Sequence, residues 1–414
     1  MHHDEIIAGL DLGTTKACCV VAARTEEGID ILGYGMVPSS GIKQGSVVNI
    51  RATVESIVAA VEDASAMSGA IVDTVYVSIA GSHVQGVNER GVTAIAGGEV
   101  GPEDVRRALA QARAVPLPAD RRVIHVIPQE YKVDHQDGVR EPVGMAGVRL
   151  EARAHLVTVA ASAWQNVLRC TEQAGLYLAD VVLQPLASAE AVLTEDEKEI
   201  GVAVVDIGGG TTDVILYVDG SVVHTSVVPL GGQSVTADLA AGLRTTLAEA
   251  DRIKVQHGCA LPEMVAEDDT VEVPSVGGRP PRSVPRRELC DYIEPRVTEI
   301  LDAVRHTLEA SGYAQQLAAG VVLTGGGSRL EGTAELAERH LGLPVRRGLP
   351  LGFGGLGDSV RAPQFATATG LVRWAGSEQA HAWTEMVPEQ TGTWRRGERD
   401  GFVSRLGAWF KAMF

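Results

Sequence analysis

The segment Val202-Ala-Val-Val-Asp-Ile-Gly-Gly-Gly-Thr-Thr-Asp-Val-Ile-Leu216 constrains the fold more than any other part of the chain. It reads as an apolar strand, a glycine turn and a second apolar strand, with Val202, Val204 and Val205 before the turn and Val214 to Leu216 after it. Three successive glycines inside a β pattern weaken it. They are expected only where the backbone takes φ > 0 or approaches another group closely. Such a turn aims backbone N–H groups at one point, and the neighbouring hydroxyls complete a concavity that suits phosphate oxygens. The carboxylate of Asp206 suits a hydrated Mg²⁺, which keeps most of its waters. Taken alone, the segment is also compatible with a plain glycine-rich β-hairpin.

The same device occurs at the other end of the chain. Ile6-Ile-Ala-Gly-Leu-Asp-Leu-Gly-Thr-Thr-Lys-Ala-Cys-Cys-Val-Val21 is again strand, Asp-x-Gly-Thr-Thr, strand. Asp11 matches Asp206, and Gly13, Thr14 and Thr15 match the Gly-Gly-Thr-Thr part. A third glycine cluster, Val321-Val-Leu-Thr-Gly-Gly-Gly-Ser-Arg-Leu330, follows a buried strand and precedes a helix. Three clusters in this order resemble the actin-like ATPase superfamily of actin, sugar kinases, DnaK-type chaperones and bacterial filament proteins. The resemblance implies a two-lobed α/β fold, a duplicated ribonuclease-H-like architecture with ATP between the lobes. It implies Asp11 and Asp206 for Mg²⁺ through water, and Gly13, Thr14, Thr15, Lys16, Gly208, Gly209, Gly210 and Thr211 for phosphates. Gly325, Gly326 and Gly327 would line the nucleoside with Lys254.

The 414 residues suffice for two lobes with a sizeable core. A net charge of −17 speaks against a general nucleic-acid binder. None of the five cysteines forms a C-x-x-C pair, so zinc and redox motifs are not expected, and Cys18 and Cys19 read as small core residues. Met1 to Glu5 carries no signal-peptide pattern, and no apolar run is long enough to span a bilayer.

In chain order, residues 1–82 form the first lobe, continued at 156–198 and about 360–375. Its helix covers Ile50 to Ala66, and Gly41 to Asn49 reads as a loop leading into it. Residues 83–155 show strand, helix, strand, strand, an inserted subdomain suited to self-association or partner binding. The helix after Leu183 begins at Gln184, where chaperone-like relatives carry a glutamate that orients the attacking water. Glutamine orients water but is no strong general base, so hydrolysis is expected to be slow or regulatory. The second-lobe core spans 199–228 and resumes at about 302–359. Gly231 and Gly232 open a helix and form a further anion-friendly terminus. On the next helix the superfamily places a ribose-binding Glu three residues before a Lys, and Asp251 and Lys254 stand there.

Residues 229–301 include Arg279, Arg282, Arg286, Arg287 and Arg296, a basic patch on an acidic chain. Guanidinium forks suit carboxylates, so a short acidic-apolar peptide is a sensible ligand, and a solubilising loop is the bland alternative. The insertion with His125-Val-Ile-Pro-Gln-Glu-Tyr131, the run Val273-Pro-Ser-Val-Gly-Gly-Arg-Pro-Pro-Arg282 and Ala318-Ala-Gly-Val-Val-Leu-Thr-Gly-Gly326 resemble the FtsA family of bacterial cell-division proteins. That resemblance implies filaments at the division site on the cytoplasmic face of the inner membrane. It also implies recruitment of later divisome proteins and capture of the FtsZ C-terminal peptide near Arg279, Arg282 and Arg296.

The end of the chain points the same way. Residues 376–400 lack a hydrophobic period and read as a linker. In 401–414, Phe402, Val403, Leu406, Trp409, Phe410, Met413 and Phe414 share one helical face, with Lys411 on the other. This is the pattern of an interfacial helix on an anionic membrane. Each large side chain buried there contributes about 1.5–3 kcal/mol before ordering costs. A sugar kinase would need a second pocket with a catalytic acid, for which no segment stands out. A pilus-assembly scaffold of the PilM kind shares the body but usually lacks the terminal helix.

Overall fold

The computed structural model describes residues 5–275 and 280–377. In the first lobe, strands Glu5–Leu12, Lys16–Thr25 and Gly28–Pro38 run antiparallel in chain order. Thr74–Ile79 adds parallel to the first of them, and Tyr177–Leu183 adds parallel to Thr74–Ile79. The second lobe repeats this plan. Val202–Ile207, Thr212–Val218 and Ser221–Val228 run antiparallel, Gly320–Thr324 adds parallel to the first, and Val345–Arg347 lies beyond it. Equal strand order and direction in both sheets make this the duplicated ribonuclease-H-like, actin-like α/β fold. One strand crosses back from the C-terminal half, as Phe353–Gly355 pairs parallel with Gly28–Pro38.

Alternation within the strands decides what each sheet face buries. Cys19 points into a core packed by Ile57, Ala60 and Ala64 of helix Ile50–Ser68, and Cys18 into one packed by Ala368 and Val372 of helix Ala366–Ala375. Helix Ile50–Ser68 is closed at both ends by local chemistry. The Asn49 side chain accepts from the Ala52 amide, and Gly69 ends the helix in the left-handed region at φ 68°. Helices Gln184–Val192 and Ala366–Ala375 cross between the lobes. Gly370 permits their contact, because a Cβ there would lie 1.7 Å from the Ala187 carbonyl oxygen.

Between Thr74–Ile79 and Tyr177–Leu183 lies a four-stranded sheet in the order Gln85–Ala94, Arg149–Ala160, Arg121–Val133, Gln136–Val139. Helix Pro102–Arg113 buries Ala108, Leu109 and Ala112 against it. In the second lobe, helices Gly232–Leu243, Leu247–His257 and Arg286–Ser311 enclose a core with the ribbon Thr270–Val273 and Arg282–Pro285. The segment read as a plain loop before the first helix holds a small hairpin, Ile42–Lys43 with Ser46–Val47. Among the described residues no helix is long and apolar enough to cross a membrane. Apart from Gly376 and Ser377, the expected linker and the membrane helix with Phe402, Val403, Leu406, Trp409, Phe410, Lys411, Met413 and Phe414 lie outside the described residues, as does Arg279.

Candidate functional site

The two glycine hairpins meet tip to tip between the lobes, and they are built alike. The Gly13 amide donates to the Lys16 carbonyl at 3.0 Å, and the Gly208 amide to the Thr211 carbonyl at 2.9 Å. Asp11 pairs with Cys18 and Asp206 with Asp213 across the two hairpins. This register corrects the match expected from sequence. Thr14 and Thr15 correspond to Gly209 and Gly210, and Lys16 corresponds to Thr211. Gly208, Gly209 and Gly210 all keep negative φ, so close approach and not a left-handed backbone explains them. A Cβ on Gly209 would lie 2.5 Å from Cγ2 of Thr15, and one on Gly210 would lie 2.6 Å from Oγ1 of Thr14. One tip supplies threonines and the other the room for them.

Behind the tips is a cavity of about 90 Å³, smaller than the roughly 300 Å³ at which small-molecule pockets begin. Its enclosed part is on the scale of a phosphate and its cation. It is lined by Asp11, Gly13, Thr14, Thr15, Lys16, Gln184, Asp206, Gly208, Gly209, Thr211, Gly325 and Gly326 among the sequence candidates. Asp11 is 2% exposed; it accepts from the Ser78 hydroxyl at 3.0 Å and from Lys16 Nζ at 2.5 Å. Burial alone would lower the Lys16 ammonium, but its contact with Asp11 outweighs this and holds it above the usual lysine value. Asp206 is also 2% exposed, accepts from Ser188 Oγ at 2.6 Å and hydrogen-bonds Gln184. Its carboxyl is raised, first by burial and then by the negative charge of Asp11 against the Ser188 bond. Buried carboxylates that repel one another form a site a divalent cation stabilises.

The remaining candidates stand behind the cavity. The amides of Gly232 and Gln233 donate to the carbonyls of Gly208 and Gly209 at 2.9 and 2.8 Å. The first two N–H groups of helix Gly232–Leu243 are therefore spent on the turn, where the sequence suggested an anion. Gly231 is needed for this docking, since its Cβ would lie 2.8 Å from both carbonyl oxygens. Lys254 Nζ donates to the Gly232 carbonyl at 3.2 Å, to Thr236 Oγ1 at 2.7 Å and to Asp251 Oδ1 at 2.7 Å. Asp251 and Lys254 thus fasten the next helix to the turn. Gly210 packs on Thr14, and Gly327 on Ile207, which a Cβ would approach to 2.4 Å.

Comparison with known proteins gives this geometry its family. A family model described as "Cell division protein FtsA" matches residues 203–370, and one described as the SHS2 domain inserted in FtsA matches 81–158. The chain is 46% identical to Cell division protein FtsA of Pseudomonas aeruginosa over 92% of each chain. It is 43% identical to that of Neisseria meningitidis over 99% of this chain and 98% of the relative. The chain belongs to the FtsA family. Solved structures agree on the fold. A PilM-PilN type IV pilus biogenesis complex matches with a TM-score of 0.64 at 19% identity, covering 90% of this chain and 98% of that one. MreB5 of Spiroplasma citri bound to ADP matches with 0.55 at 12%, covering 94% and 99%.

Within this FtsA-family chain the sequence left several residues in and behind the cavity without a role. Ser78 and Ser188 orient Asp11 and Asp206, and Thr367 Oγ1 lies 3.4 Å from Asp206. Gln364 lines the cavity, and its buried Oε1 has no partner among the described residues. Asp213 receives the Thr211 hydroxyl on Oδ2 at 3.0 Å, while its buried Oδ1 has no partner there. Burial, then Asp206, pushes its carboxyl well above the carboxylate range. Its place in the second hairpin was visible in sequence; its direction was not. Of the basic patch, Arg282 donates to the Leu243 carbonyl at 3.1 Å. Arg296 forks onto Asp238 at 2.6 and 3.1 Å and also binds Glu299. It borders an open groove of about 410 Å³ with Tyr292 and Asp291.

Proposed function

We propose that this FtsA-family protein binds ATP with Mg²⁺ between its lobes, polymerises on the cytoplasmic face of the inner membrane at the division site, anchors FtsZ filaments there and recruits later divisome proteins. The observation that carries the reading is the pair of matched turns bringing two buried carboxylates, Asp11 and Asp206, to one cavity. The donor set fits the group. The carboxylates would hold hydrated Mg²⁺, with Asp213, whose Oδ1 lacks a partner among the described residues, behind them. The amides and hydroxyls of Gly13, Thr14, Thr15, Gly208, Gly209 and Thr211 would meet phosphate oxygens, with Lys16 beside them. Gly325 and Gly326 would face the nucleoside side. Bound ATP would supply a phosphate chain within reach of both hairpins, and holding it from both lobes would favour a closed arrangement. Gln184, set against Asp206, would orient water without taking its proton, so hydrolysis is slow or regulatory.

The groove beside Arg296 is the proposed seat of the FtsZ C-terminal peptide. A peptide carboxylate would replace Asp238 on the guanidinium fork, and apolar residues would pack on Tyr292. The segment 401–414 would provide the membrane contact, weak in one copy and strong in a filament through multivalency.

Co-sedimentation with anionic vesicles and ATP tests this, comparing the full chain with one ending at Asp400, each with and without the FtsZ peptide. Pelleting of the full chain alone, carrying the peptide, is the expected result. Equal pelleting of both chains removes the anchor role of 401–414. Failure to bind either vesicle or peptide removes the adaptor role.

A further inference from the structure

The edge strand of the second lobe, Ser221–Val228, is occupied at both ends. Beyond Val228 the chain runs through Pro229 into Gly232 and Gln233, whose amides donate to the turn carbonyls of Gly208 and Gly209. At the other end the strand meets the inserted sheet. A register shift between Leu216 and Tyr217 leaves Val223 as a bulge residue. The adjacent carbonyls are taken by side-chain amides of the insert. Gln129 Nε2 donates to the Val222 carbonyl at 2.8 Å, and Asn88 Nδ2 to the Val223 carbonyl at 3.0 Å. An edge that would otherwise meet water or another strand is closed by two carboxamides from a different subdomain.

A buried histidine fixes their orientation. Asn88 Oδ1 receives Gln129 Nε2 at 3.1 Å and lies 2.7 Å from His155 Nδ1, and His155 Nε2 lies 2.9 Å from Thr225 Oγ1. An amide oxygen only accepts, so the His155 proton sits on Nδ1, and Nε2 accepts from the Thr225 hydroxyl. Burial pushes the His155 imidazole down to about 3, so it stays neutral at physiological pH. Farther out, Arg140 forks onto Glu199 at 2.9 and 2.6 Å.

The insert is rooted just as firmly in the first lobe. His125 Nε2 accepts the Leu183 amide at 3.0 Å, one residue before Gln184 in the cavity. The insert is therefore bonded to both lobes, through Leu183 in the first and through strand Ser221–Val228 in the second. At about 3.4 Å per residue, the strand from the seam at Val222–Thr225 to Val228 spans on the order of 10–20 Å.

We propose that the inserted subdomain is a lever: the Asn88–Gln129–His155 seam passes movement of the second lobe around bound nucleotide to the insert, so the insert's orientation follows the nucleotide state. This rests on the nucleotide reading of the cleft. A continuous strand pairs with the site hairpin at Val228 and is hydrogen-bonded to the insert at Val222 and Val223, and coupling along it is what the exchange experiment measures.

Hydrogen–deuterium exchange of the full chain, with and without Mg²⁺-ATP, tests it on wild type and on the triple variant Asn88→Ala, Gln129→Ala, Thr225→Val, which removes the bonds to Val222, Val223 and His155 together. In wild type, nucleotide is expected to slow exchange in 206–213 and to change it several-fold in Gln85–Ala94. The triple variant keeps the first effect and loses the second. Protection of 206–213 with no change in 85–94, or a change there that survives the triple variant, overturns the lever. No protection of 206–213 in wild type removes the nucleotide reading, and the lever with it. Should the triple variant fail to fold, Asn88→Ala, Gln129→Ala is expected to shrink the change in 85–94 with 206–213 still protected, and an undiminished change overturns the lever.

Discussion

Single residues in this cleft are set by burial as much as by partners. Gln184 begins its helix 8% exposed, against Asp206. Gln184→Glu adds a base there, and general bases contribute about 10²–10⁴-fold. Phosphate release at saturating Mg²⁺-ATP is expected to rise at least tenfold; an unchanged rate would show that Gln184 does not face the attacking water. A second test lies in the first-lobe sheet. Asp180 is 6% exposed, and burial raises its carboxyl to about 7. The unfolded chain ionises near 3.8, so the folded state loses stability as pH climbs from about 4 through about 7. Asp180→Asn removes that loss. Its gain in melting temperature should be larger at pH 8 than at pH 5, and an equal gain at both would contradict the assignment. His125, pushed down to about 3 by burial, acts in the opposite sense. Its contribution is full above about 6.5 and fades as pH falls toward 3.

At the scale of elements, backbone approach explains what composition alone does not. Gly325 has φ 79°, and a Cβ there would lie 2.1 Å from Asp206 Oδ1. With ψ at 167° this is an extended, positive-φ backbone that only glycine adopts readily, and Gly325→Ala should lower stability by about 1–3 kcal/mol or more, read from the urea midpoint. A shift below a few tenths would show that the turn rearranges freely. Strands with strong apolar runs, such as Val202–Ile207 and Thr74–Ile79, were legible in sequence because both faces or one face must be buried. Gln136–Val139 and helix Glu195–Ile200 were not, for they carry almost no apolar period and are held by pairing and by the Thr194–Glu197 cap. The hairpin match slipped because Thr-Thr occurs in both segments, whereas the turn is set by the amides of Gly13 and Gly208. Likewise, glycines at a helix start suggested an anion site, and Gly231 and Gly232 instead lock the helix to the turn.

The whole molecule consists of two copies of one sheet plan, with an insert bonded to both. Its acidic charge, its glycine clusters and its lobe order could be read along the chain. The seam could not, because Asn88, Gln129 and Thr225 are ordinary polar residues until the fold brings them together. Asp11 and Asp206 are proposed to make the cleft a Mg²⁺-dependent nucleotide site. Calorimetric titration of ATP into the full chain, with Mg²⁺ or with EDTA, for wild type and Asp206→Asn, tests it most directly. Mg²⁺-dependent binding is expected in wild type, with at least tenfold weaker binding in the variant, about 1.4 kcal/mol. Binding that ignores both EDTA and the substitution, or no binding by wild type with Mg²⁺, would contradict it.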